Sequence, residues 1–112
     1  MSRPLRIASL ADLPPGGSLL VARALTGLDD DVALLREQDG TVHAVDDSCT
    51  HWIASLARGW VRDGCVVCPA HAATYDLRTG VELTTAHLPP VRVHRLAVCG
   101  DDIYLVQDKG AG

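Results

Sequence analysis

The chain has 112 residues, the size of one small domain, and its 47% hydrophobic and 21% charged residues describe a globular rather than a disordered protein. Fourteen acidic against ten basic side chains give a net charge of −4, which excludes a nucleic-acid binder, because phosphate contacts need clustered Lys and Arg. No apolar run reaches the length of a membrane-spanning helix, and Asp12 with Pro14-Pro15 interrupts any signal-peptide core, so the expected location is the cytoplasm.

In chain order, short Val-, Leu- and Ile-rich segments at 5–8, 18–23, 32–36, 41–45, 65–67, 92–98 and 103–106 read as strands. Turn signals separate them: Pro14-Pro15-Gly16-Gly17, Asp39-Gly40, Asp63-Gly64, Thr79-Gly80, Pro89-Pro90 and Gly100-Asp101-Asp102. Asp39-Gly40 between apolar segments is a strong hairpin signal. Turns recurring about every ten residues predict an all-β fold, an antiparallel sandwich or small barrel. Residues 53–56 give the one helical hint, too short to matter. With no Phe and 4% aromatic residues, Val, Leu and Ile must fill the core. The stretch from 46 to 80 differs from the rest, holding both Trp residues, three of the four Cys and two of the five His.

In a reducing compartment four cysteines suggest metal or redox chemistry before structural disulfides. Cys49-Thr50-His51 offers one thiolate and one imidazole. Cys68-Pro69-Ala70-His71 offers another pair, with sixteen residues between His51 and Cys68. Pro69 turns the chain after a strand, so that Cys68 and His71 can point to a common centre. Two thiolates and two imidazoles suit either Zn²⁺ or a [2Fe–2S] cluster. Structural zinc sites usually pair like ligands, Cys with Cys and His with His, whereas each loop here is mixed. Mixed loops suit a binuclear cluster in which the cysteines take one iron and the histidines the other. Such a cluster is neutral when oxidised, two charges less negative than its four-cysteine counterpart, and is easier to reduce.

At these two motifs the sequence resembles the Rieske-type [2Fe–2S] proteins, and in length and β pattern the stand-alone Rieske ferredoxins of aromatic-ring dioxygenases. Leu56, Gly59, the run Tyr75-Asp76-Leu77-Arg78-Thr79-Gly80 and Pro89-Pro90 reinforce the resemblance, which is sharpest from 46 to 80. It implies a single Rieske domain over 1–112, an antiparallel β-sandwich or barrel with a small inserted cluster-binding subdomain of two loops at about 46–80. It implies one [2Fe–2S] cluster per chain, with Cys49 and Cys68 on the inner iron and His51 and His71 on the outer. It implies a one-electron carrier, not an enzyme, between an NAD(P)H-dependent flavin reductase and a terminal oxygenase. Docking is expected near His51, His71 and Trp52, with a monomeric chain and neither nucleic acid nor membrane as partner. The alternatives are the small subunit of a nitrite reductase and, from another class, a zinc-bound structural or interaction module.

The chain also departs from the high-potential members of that family. The two extra cysteines that form their loop disulfide are here Ala54 and Ala70, and the serine that would hydrogen-bond a bridging sulfide is Ala73. Losing a sulfur hydrogen bond destabilises the reduced state, so the expected potential lies at the low end of a range of about −150 to +300 mV. Tyr75 stands where the family places a tyrosine that hydrogen-bonds a ligand sulfur, here that of Cys49. Cys65 and Cys68 also spell Cys-x-x-Cys, but Val66-Val67 favours a strand, in which the two sulfurs diverge. Cys65 and Cys99 are read as small apolar strand residues, Trp60 as loop cover, Asp29-Asp30-Asp31 as a solvated loop, and His43, His87 and His94 as having no role. A Cys–His hydrolase pair lacks an orienting third group.

Overall fold

The computed structural model describes residues 3–50, 54–70, 72–84 and 88–107. Among the described residues nine strands carry the fold: β1 (Arg3–Ser9), β2 (Ser18–Val21), β3 (Val32–Arg36), β4 (Val42–Asp46), β5 (Trp60–Arg62), β6 (Cys65–Val67), β7 (Thr74–Asp76), β8 (Val93–Cys99) and β9 (Asp102–Gln107). One sheet runs in the order β1-β9-β8-β4-β3-β2 and a second in the order β5-β6-β7, every pairing antiparallel. Ile7 and Ala8 of β1 and Val21 of β2, from opposite edges of the large sheet, meet in one buried cluster with Val32, Leu34, Ala44, Ile103 and Leu105. The large sheet therefore curves into half a barrel.

Strand β3 is buried on both faces. Side chains alternate across a strand, so Val32 and Leu34 enter the half-barrel, while Ala33 and Leu35 point into a second cluster with Val45, Cys49, Leu56, Val66, Cys68, Ala73, Tyr75, Leu77 and Val91. All four β3 residues from Val32 to Leu35 are 0% exposed. Its neighbour β4 divides in the same way, Ala44 to one side and Val45 to the other. The small sheet closes the second cluster. Val61, Val66 and Tyr75 lie in register across it and face inward, with Trp60, Val67 and Thr74 on the outer face.

Most strands fall where the sequence places them. The segment at 18–23 ends earlier, at Val21, and Arg23–Thr26 forms one helical turn, α1, closed by Gly27. The helical hint at 53–56 is displaced to a 3₁₀ turn over Leu56–Arg58; Ile53 lies outside the described residues. Strands β5 and β7 went unread in the sequence because each carries a single inward apolar residue, Val61 or Tyr75, whereas the equally short β6 shows the β-branched pair Val66-Val67. Two hairpin signals act as expected. Asp39-Gly40 closes β3 onto β4, with Glu37 N–H donating to Thr41 O at 2.8 Å. Asp63-Gly64 joins β5 to β6 as a two-residue turn with positive φ at both positions, the type I′ geometry.

Shared burial makes β3 the costliest place to lose volume. Leu34→Ala should destabilise the protein by about 2–5 kcal/mol. Leu20→Ala, on an edge strand and half-exposed, should cost less than about 1 kcal/mol. Urea unfolding of the two variants checks the contrast, and comparable losses would contradict the two-faced wall.

Candidate metal centre

The first cysteine loop leaves β4 at Asp46 and is closed on itself before it reaches the thiol. Asp47 is buried, and its Oδ1 accepts from Ser55 Oγ and from Ala57 N–H, both at 2.8 Å. Its backbone carbonyl accepts from Leu56 N–H at 2.7 Å, and Cys49 N–H donates to Ala54 O at 3.0 Å. The outer edge is fastened from the loop before β3. Asp30 accepts from Ser48 N–H and Ser48 Oγ, and Asp31 O accepts from Asp47 N–H. The acidic run at 29–31 is therefore a clamp for this loop. Reading it as solvated missed that amide donors from residues 47 and 48 are aimed at it.

The second loop follows β6. Cys68 N–H donates to Ala73 O at 2.8 Å, Ala72 N–H donates back to Cys68 O at 3.1 Å, and Ala72 turns the chain with φ 60°. Two glycines let neighbouring chain segments close around this loop. A Cβ on Gly59 would stand 2.0 Å from Val67 O, and one on Gly80 would stand 1.9 Å from Val91 O. Gly80 also has φ +80°, which an L side chain rarely adopts. Beyond β7, the buried Glu82 accepts from Thr74 N–H at 2.8 Å, from Thr84 N–H at 3.0 Å and from the Thr84 hydroxyl.

The two thiols meet the same buried cluster: Cys49 is 6% and Cys68 1% exposed, with Ala73 and Tyr75 beside them. The Tyr75 hydroxyl lies 3.3 Å from Cys49 Sγ, as the sequence leads one to expect. It also accepts from Thr50 N–H at 3.2 Å and stands 2.7 Å from Thr50 Oγ1. Thr50 Oγ1 donates to Pro89 O at 2.8 Å, and a carbonyl can only accept. The phenol proton is thus shared between Thr50 Oγ1 and the sulfur. Burial foremost, then the Cys49 contact, pushes the Tyr75 pKa up to about 12, so the hydroxyl keeps its proton at neutral pH.

The other sequence candidates separate from this centre. Cys65 lies on the outer face of β6, its thiol pKa raised by burial first and then by Asp76, Asp63 and Glu37, the opposite of an activated redox thiol. Cys99 is a strand residue, as expected, at the exposed end of β8. Trp60 is a half-exposed strand residue, not loop cover. His43 pairs with Glu37 at 2.5 Å and His94 with Asp46 at 2.6 Å, both bracing strands. His51, Trp52, His71 and His87 lie outside the described residues.

Two buried thiols on separately braced loops, one of them touched by a phenol, meet in one cluster. A protonated Cys65 on another face speaks against a disulfide-exchange pair. The Rieske [2Fe-2S] domain model matches residues 4–95, and the chain belongs to that family. It is 34% identical to the 3-phenylpropionate/cinnamic acid dioxygenase ferredoxin subunit of Photorhabdus laumondii, over 90% of this chain and 91% of the relative. Among solved structures, it is similar to the ferredoxin in a complex of reduced oxygenase and oxidized ferredoxin in carbazole 1,9a-dioxygenase, at 28% identity and TM-score 0.79, over 92% of each chain. It is also similar to a putative NADH-dependent nitrite reductase small subunit from Mycobacterium tuberculosis, at 26% identity and TM-score 0.81, over 96% of this chain and 97% of that one. The chain accordingly carries one [2Fe–2S] cluster and is an electron-transfer component, not an enzyme. The zinc alternative falls with that assignment.

A hydrogen bond to a ligand sulfur stabilises the reduced, more negative state. One such bond is worth about 1–2 kcal/mol, and about 59 mV is a tenfold change for one electron. Tyr75→Phe should therefore lower the reduction potential by some tens of millivolts in a redox titration at constant pH. Ala73→Ser, adding a donor beside the thiols, should raise it. An unchanged potential in Tyr75→Phe would contradict the shared proton.

Proposed function

We propose that this chain is the ferredoxin component of an aromatic-ring dioxygenase system, accepting electrons from an NAD(P)H-dependent flavin reductase and delivering them to a terminal oxygenase. The observation that carries the reading is the pair Cys49 and Cys68 in one dry cluster, with a Tyr75 hydroxyl 3.3 Å from Cys49 Sγ. Cys49 and Cys68 hold the inner iron, and His51 and His71 the outer one. When bound, the cluster takes up and releases one electron at a time. The chain's own residues exclude water behind the thiols, donate a hydrogen bond to Cys49 Sγ, and hold each loop in place from a separate buried carboxylate.

The dioxygenase reading stands above the nitrite reductase one because the relative at 34% identity is a dioxygenase ferredoxin. The docking face is the rim of the two loops, around His51, His71 and Trp52. Its described members Pro69, Ala70, Ala72, Pro89 and Pro90 are exposed, small or rigid residues that let a partner approach closely. The chain acts as one Rieske domain, with residues at about 46–80 as its cluster-binding part. It works as a monomer in the cytoplasm, and no helix among the described residues is long and apolar enough to cross a membrane.

Anaerobically purified protein should contain about two irons and two acid-labile sulfides per chain. Cys49→Ser or Cys68→Ser should abolish the visible spectrum, and Cys65→Ser or Cys99→Ser should leave it intact. Stoichiometric zinc without sulfide would overturn the ligand reading. For the docking face, Trp52→Ala should slow electron transfer to the oxygenase while leaving the potential nearly unchanged, since docking contacts act on association and not on the ligands. An unaltered transfer rate would remove Trp52 from that face.

A further inference from the structure

Among the described residues the buried polar side chains are Thr26, Asp47 and Glu82. Asp47 belongs to the Cys49 loop itself. Glu82 does not belong to the loop it braces: it lies fourteen positions beyond Cys68, on the far side of β7. The backbone forms an isolated bridge between Glu82 and Tyr75, whose side chain reaches Cys49. The carboxylate takes Thr74 N–H and the Thr84 hydroxyl on Oε2, and Thr84 N–H on Oε1. All three are donors to the carboxylate oxygens.

The connection to the thiols is short. The peptide that gives Glu82 its Thr74 N–H also supplies Ala73 O, the acceptor for Cys68 N–H at 2.8 Å. Two hydrogen bonds and one peptide unit put the carboxylate within about 8 Å of the Cys68 backbone. At that range a fixed anion opposes an electron added to a cluster held by Cys68.

We propose that Glu82 is a positioning residue for the Cys68 loop whose charge also holds the reduction potential of the bound cluster down. The proposal rests on the ligand reading given above. A brace alone needs acceptor oxygens at Thr74 and Thr84. A brace that also tunes needs the negative charge, and opposes reduction through it.

The test is a redox titration of the holoprotein at one pH, for wild type, Glu82→Gln, Glu82→Asp and Thr84→Val, with iron and sulfide measured first. Wild-type protein lacking the cluster would overturn the ligand reading before any variant is compared. With the cluster present, Glu82→Gln should raise the equilibrium constant for one-electron reduction about threefold to tenfold, which is about 28 to 59 mV at about 59 mV per tenfold. Glu82→Asp, which keeps the charge, and Thr84→Val, which removes only a brace, should stay near the wild-type potential. If Glu82→Gln fails to hold the cluster while Glu82→Asp holds it at wild-type potential, the proposal is also supported. A wild-type potential in Glu82→Gln, an equal rise in Thr84→Val, or loss of the cluster from both Glu82 variants overturns it.

Discussion

Everything at the metal centre depends on one strand, β3, that is buried on both faces. Because β3 alternates Val32 and Leu34 into the half-barrel with Ala33 and Leu35 into the second cluster, one short strand serves as the wall of two cores. Such a wall tolerates no register slip, since moving β3 by one residue would exchange the two sets of side chains. That rigidity fixes where β4 ends, and the end of β4 is where the Cys49 loop begins. The position of the first thiol is thus inherited from packing on the other side of the sheet.

The loops above the wall are irregular and hold themselves by polar contacts instead of packing. Each backbone group taken out of water there needs a partner. Asp47, Asp30 and Glu82 supply acceptors to loop amides, and the Thr50 hydroxyl ties the first loop to Pro89. The result is a dry floor beneath the thiols with a polar frame around it, an arrangement suited to a cofactor whose charge changes by one unit and whose surroundings must not move in response. Rigid surroundings keep the reorganisation small, which is what a carrier needs and a catalyst does not.

How far the centre could be read from the sequence follows from the range of each interaction. Both cysteine motifs are local, so spacing alone exposes them, and the contact of Tyr75 with Cys49 was legible through the family pattern. The strands on both sides of Asp39-Gly40, and β6 after Asp63-Gly64, were bounded by their turns. The clamp of Asp30 on Ser48 and the brace of Glu82 on Thr74 were not legible, because a carboxylate looks the same in a sequence whether water or an amide faces it. The hydrogen bond from Thr50 to Pro89 spans 39 residues and has no signature at either end. Strands β5 and β7 show no apolar pair like the Val66-Val67 that reveals β6, and nothing local distinguishes the end of β2 from the helical turn at Arg23.

The mixed ligand set is the claim on which the account stands or falls, and nitrogen coordination tests it most directly. In the reduced protein labelled with ¹⁵N-histidine, pulsed electron paramagnetic resonance should show two directly coordinated imidazole nitrogens, and the signal of one should vanish when either His51 or His71 is replaced by cysteine. A reduced cluster with no coordinated histidine nitrogen, or one whose nitrogen couplings survive both replacements, would contradict the assignment of His51 and His71.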